Sequence, residues 1–180
     1  MNTNLPTFVL DDLKEPFRQV LSTENFGEPV NELAELIGQG QFNLQNLDDV
    51  LQRHKLKDVV QIKPQILDLV LSYIWLIVSD NVITSKEAEN VKFLKRFFKI
   101  KEGDFYLSKY ADIELILDRQ FELMYQNNVI DNDEALQKVE LQEMFDLSYD
   151  QFLKLSERAV RSAIERGADP MDLDTFIKFS

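Results

Sequence analysis

Cysteine is absent from the chain, which excludes disulfides, thiolate metal sites and thiol catalysis. Histidine occurs once, as His54, so no multi-histidine metal site can be assembled. Glycine and proline number five each, and no glycine-rich phosphate loop is among them. The longest apolar run, 70–78, is nine residues broken by Ser72. A membrane helix needs ~20, and no membrane insertion is expected. The first six residues have neither the basic region nor the apolar stretch of a signal peptide. Positive charge is short as well, with 20 basic residues against 32 acidic and a formal charge of −12. Phosphate binding needs clustered Lys and Arg, so nucleic acid is not an expected partner. What the chain does have is length, 180 residues, and 44% apolar content with thirteen Phe. That suffices for a buried core without a disulfide or metal staple. The expectation is a soluble, cytoplasmic globular protein.

The few helix breakers sit where they punctuate helices. Pro16, Pro29 and Pro64 each precede an apolar pattern, as a proline in a first helical turn does. The segment 29–37 ends at Gly38-Gln39-Gly40, a C-terminal capping signal. Leu44, Leu47, Val50 and Leu51 share one helix face. Pro64 opens a helix to about Ser79 whose second half is apolar nearly all round, Trp75 included, as in the buried centre of a bundle. Over 85–99, Val91, Leu94, Phe97 and Phe98 take one side and Lys92, Lys95, Arg96 and Lys99 the other. Over 112–127 the apolar set is Ile113, Ile116, Leu117, Phe121 and Met124. Two more helices are expected over 132–145 and 149–166, the last stopped by Gly167. Residues 171–180 read as a short docked helix or a frayed tail. The fold class is all-α, a helical bundle of about seven to nine helices, with Ile74, Leu76 and Ile77 packing against Leu94, Phe98, Leu141 and Phe145.

A shift of 47 residues aligns the chain with itself. Leu76, Asn81, Val82, Ile83, Glu87, Ala88, Leu94, Phe98 and Phe105 all recur, nine identities over the thirty positions 76–105. Identities at core and turn positions in register point to an internal duplication of a helix–turn–helix. Asn81 and Asn128 fall where the chain must reverse, and Asn tolerates the left-handed conformation of such turns. Thr84-x-x-Glu87 reads as a capping box and Asp131-x-x-Glu134 as its acidic variant. An EF-hand reading fails. With Glu87 as the last ligand of the loop, Leu76 and Val78 would fill ligand positions that need oxygen, and Leu123 and Tyr125 fail likewise in the second copy. The acidic run 131–134 is read as helix capping rather than a calcium site. His54, in Arg53-His54-Lys55, is read as a solvated helix end.

The pattern given twice, a buried helix, an acidic turn, an Ile, a Glu four residues later and a Leu/Phe helix, resembles the tellurite-resistance TerB-like domain. Its turns here are Ser79-Asp80-Asn81 with Glu87 and Gln126-Asn127-Asn128 with Glu134, and the resemblance spans about 63–166. It implies an all-helical fold with a pseudo-twofold pair of repeats. It also implies a setting in bacterial stress response, beside J-domains, or in phage defence. The family glycine is Asn81 and Asn128 here, and the family aspartate of the second turn is Asn127. Of the acidic set that paired turns would offer a divalent metal, only Asp80, Glu87 and Glu134 remain, so no metal and no cofactor are expected. The resemblance sets the domain organisation: 1–62 as an N-terminal helical extension packed on the core and 63–180 as the TerB-like domain, with one continuous domain as the alternative.

No catalytic constellation is present, and an enzyme is not expected. Charge is more informative. Residues 111–180 carry 16 acidic and 7 basic groups, while 80–106 carry 5 and 6. Asp112, Glu114, Asp118, Glu122, Glu140, Glu143 and Asp146 come from two helices joined by one turn, and their spacing shares helix faces. An acidic face of this density can steer and hold a basic protein partner. The leading expectation is a non-enzymatic interaction module in stress response or defence, monomeric or homodimeric. The alternative is an acidic immunity or antitoxin protein that neutralises a basic toxin.

Overall fold

The computed structural model describes residues 7–80, 82–127 and 130–169, with the side chains of 7–10 and 80 excepted. Among these residues there are nine α-helices and no strand. The chain divides into two compact units, one of 1–77 with 89–100, the other of 78–88 with 101–180.

The first unit begins with α1 (Thr7–Thr23), α2 (Glu28–Gln39) and α3 (Leu44–Arg53). Pro16 lies inside α1 rather than in a first turn. An interior proline costs a helix ~3 kcal/mol, and the fully or nearly fully buried Leu13, Phe17 and Val20 around it offset that loss. At Gly38 a Cβ would stand 3.2 Å from Arg18 Cγ of α1, a tight contact that the Arg18 side chain would have to shift to relieve. Helix α4 (Lys63–Ile77) is entered through a 3-10 turn, Val59–Ile62. Together they form a segment long and apolar enough, by length and composition, to cross a membrane, and half of its apolar window is buried. Ile66, Leu69, Val70 and Ile74 of α4 are wholly enclosed, the burial expected of a helix without a polar face. Leu76 is half-buried.

Helix α5 (Ser85–Phe97) belongs to the first unit from residue 89 onward. Its Leu94 and the Phe98 that follows it are fully buried, and Phe42 packs on Phe97 and Phe98 with ring centroids 4.1 and 5.5 Å away. Lys95, expected on the outer basic face, is buried. At 100° per residue it sits only about 40° round the helix from core Val91.

The second unit holds α6 (Asp104–Ser108), α7 (Tyr110–Met124), α8 (Asn132–Met144) and α9 (Tyr149–Glu165). Its core includes the expected Ile113, Ile116, Leu117, Phe121 and Met124 of α7, and Leu141 and Phe145 are fully buried. Edge-to-face rings join Phe105 to Phe145 at 5.9 Å and Phe121 to Phe152 at 5.4 Å.

Helix ends recur at a fixed offset. Residues 63 and 77 bound α4 and 110 and 124 bound α7, while 85 and 97 bound α5 and 132 and 144 bound α8. Each pair of bounds differs by 47. Lys99 and Asp146, also 47 apart, both take left-handed backbone with φ of 54° and 51°. Behind them Ile100 N–H donates to the Lys95 carbonyl at 2.8 Å and Leu147 N–H to that of Gln142 at 3.0 Å. The turn residues Asn81 and Asn128, and the segment 170–180 with Asp172 and Asp174, lie outside the described residues.

Candidate functional site

The glutamates that follow the two acidic turns sit in helix caps. Thr84 N–H donates to Glu87 Oε2 at 2.9 Å, and Glu87 N–H to Thr84 Oγ1 at 3.3 Å. Asp131 N–H donates to Glu134 Oε2 at 3.0 Å, and Glu134 N–H to Asp131 Oδ1 at 2.9 Å. Both glutamates, the candidate metal ligands, thus satisfy backbone donors that a helix start leaves open. Among the described residues no three His, Cys, Asp or Glu side chains converge as a metal site. The Asp80 side chain lies outside them. A third capping box, Ser148 with Gln151, opens α9; the Ser-x-x-Gln spacing is its sequence signal.

The seven candidate partner-binding carboxylates are not equivalent. On α7, Glu114, Asp118 and Glu122 follow one another at four-residue spacing and form a stripe, while Asp112 stands apart round the helix. Glu114 and Glu122 are exposed. Asp118 is held by Arg158 of α9, Nη1 to Oδ2 at 3.2 Å. Leu115 lies beside this stripe and is 62% exposed. Its sequence signal is that it falls outside the apolar spacing of α7.

Gln120, roughly opposite the stripe on the wheel, faces α8. It accepts a hydrogen bond from Gln137 Nε2 at 3.2 Å and donates to the Val78 carbonyl at 2.9 Å. The stripe therefore borders α9 and looks away from α8. On α8, Glu143 is exposed and Glu140 half-buried, with Glu140 Oε2 enclosed and without a hydrogen-bond partner among the described residues. Asp146 occupies the left-handed position that ends α8.

A groove of about 520 Å³ runs along α9, walled by Leu153, Val160 and Ile164 and by Lys138 of α8. Lys138 is 3% exposed, with its ammonium 5.7 Å from the centre of the Tyr125 ring. Arg166 donates to the Tyr125 carbonyl at 3.4 Å, which places these basic groups toward the C-terminal end of α9. No sequence pattern singled out this groove, because the stripe of α9 that lines it reads as ordinary amphipathic helix.

In the first unit, His54 is not a free helix end. Its Nε2 lies 2.9 Å from Glu32 Oε2, and Arg53 bridges to the same carboxylate. Burial opposes ionisation of Glu32, but the hydrogen bonds from His54 and Arg53 outweigh it and hold the carboxyl below its ordinary range. Asp58 is likewise lowered, by Lys99 Nζ at 2.8 Å and the Val60 N–H.

Comparison with protein-family models, with curated proteins and with solved structures gives no match to this chain.

Proposed function

We propose that the chain is a non-enzymatic helical interaction module that captures a basic protein partner through the outer face of α7. The observation that carries this reading is Leu115, 62% exposed beside the carboxylates of Glu114, Asp118 and Glu122. An apolar side chain left in water forgoes about 1.5–3 kcal/mol of burial, and carboxylates beside it select a partner whose apolar contact is ringed by Lys or Arg. The excess of 16 acidic over 7 basic residues in 111–180 supports attraction of such a partner from a distance.

A TerB-like assignment with an internal duplication is part of the proposal. Its supports are the common 47-residue offset of the α4–α5 and α7–α8 bounds and the two capping boxes at matching positions. The setting that goes with it is bacterial stress response or defence in the cytoplasm, as monomer or homodimer. The net −9 of 111–180 favours one second reading, an immunity or antitoxin protein that masks a basic toxin.

The test is capture from the native host with wild type, Glu114→Lys/Glu122→Lys, and Glu140→Lys/Glu143→Lys. Loss of a salt-sensitive basic partner in the first double variant, with the second retaining it, supports the α7 face. A single dominant toxin among the captured proteins selects the second reading. Identical capture by all three, at any ionic strength, removes the proposal.

A further inference from the structure

The first unit gathers basic residues that the chain otherwise has few of. Segments 53–63 and 92–101 hold nine basic residues and one acidic residue between them. Two contacts join the segments. Lys99 Nζ donates to Asp58 Oδ2 at 2.8 Å, and Lys63 Nζ to the Lys99 carbonyl at 2.8 Å. Asp58 also caps the 3-10 turn Val59–Ile62, its Oδ1 accepting from Val60 N–H at 3.2 Å. Residues three apart stack in such a turn, which puts Lys63 over Val60. Arg53 is spent on Glu32 and Lys95 is buried, but Lys55, Lys57, Arg96, Lys99 and Lys101 are exposed. Val60 is therefore an apolar side chain in a basic neighbourhood, and it is 55% exposed.

This is the inverse of the α7 face, where Leu115 stands 62% exposed beside Glu114, Asp118 and Glu122. An apolar centre with a charged rim is the anatomy of a protein contact, and rims of opposite sign steer two such faces together. A phosphate backbone would offer the Val60 face charge without an apolar side chain. The α7 face offers both.

We propose that the Val60 face of one copy docks on the Leu115 face of a second copy, with Lys57, Lys63 and Lys99 toward Glu114, Asp118 and Glu122. The two faces differ, so the contact is heterologous. It is also small, which places it among weak, concentration-dependent contacts. At physiological ionic strength charges beyond ~8 Å are screened, so the facing charges decide the contact rather than the net −12 of each copy. The inference rests on the α7 reading and adds a competitor to it: a second copy covers the acidic face until a more basic protein displaces it.

Sedimentation equilibrium of the full chain over a concentration series tests this. The samples are wild type, Glu114→Lys/Glu122→Lys, Lys57→Glu/Val60→Asp, and an equimolar mixture of the two variants. Wild-type mass should rise with concentration, and each variant alone should associate at least about tenfold more weakly, because like charges then face each other. The mixture should recover association, since one variant keeps an intact Val60 face and the other an intact α7 face. Wild type that stays monomeric overturns the second copy as occupant; the α7 reading would then stand or fall on whether another protein is captured there. Association that persists in either variant alone overturns the inference in favour of a different self-contact. A second measurement uses single, milder changes in a chain that lacks cysteine. A Val60→Cys chain mixed with a Leu115→Cys chain in a thiol–disulfide buffer should form the mixed disulfide several-fold more than Val60→Cys with Leu107→Cys. Equal yields would overturn the docking too.

Discussion

The Gln137 side-chain amide donates to the side-chain oxygen of Gln120 across 3.2 Å. Forty-seven residues earlier, Asn90 makes the corresponding bond to the Tyr73 hydroxyl at 3.3 Å. Each pair ties the long helix of a hairpin to the helix that follows it. Tyr73, Asn90 and Gln120 are nearly inaccessible to water, so each tie is a buried polar contact that needs its partner.

Removing both members should therefore cost little more than removing one. Gln120→Ala strands the Val78 carbonyl and the Gln137 amide and is expected to lower stability by about 1–3 kcal/mol. Adding Gln137→Ala should cost little more. A double-mutant cycle read by urea denaturation checks this, and additive losses would show that the hydrogen bond carries no coupling.

The core makes a second expectation. Leu94 and Phe98 are fully enclosed in the first unit, and Leu141 and Phe145 in the second. Truncation of any of them to Ala should cost ~2–5 kcal/mol, the range for large-to-small changes in a packed interior. Thermal or chemical unfolding followed by far-UV circular dichroism gives the value. A loss under about 0.5 kcal/mol, typical of surface sites, would place the residue outside the core.

Glu32 supplies a pH dependence. Its folded-state pKa lies below the ordinary 4.5, so its contribution is present above 4.5 and is lost as pH falls through the folded value. Wild type should exceed Glu32→Gln in stability above 4.5, by ~1 kcal/mol or less for a partly exposed network. The difference should shrink on acidification below it. A gap that widens in acid would reverse the assigned sign.

Much of the helical architecture was legible because its signals are local. The ends of α5 and α8 follow from Thr84-x-x-Glu87 and Asp131-x-x-Glu134, and the α7 core from unbroken apolar spacing. What the sequence did not disclose depends on partners distant in the chain. Pro16 reads as a helix start until Leu13, Phe17 and Val20 are seen buried on both sides of it. Lys95 reads as surface because charge outweighs its position on the wheel. His54 reads as solvated because Glu32 is 22 positions away. On α7 the acidic residues were evident, but not that Arg158 of α9 claims Asp118 or that Leu115 stands open beside them. Short α6 and the α9 groove left no pattern at all.

The proposed α7 face can be probed at Leu115 itself. A photocrosslinking amino acid is placed at 115 in the full chain within its native host, with a second chain carrying it at 107, where Leu of α6 is 83% exposed. The expected result is a crosslink at 115 to a protein rich in Lys and Arg, weakened by added salt and missing at 107. No crosslink at 115, or the same products from both positions, would mean that the α7 face is merely solvated surface.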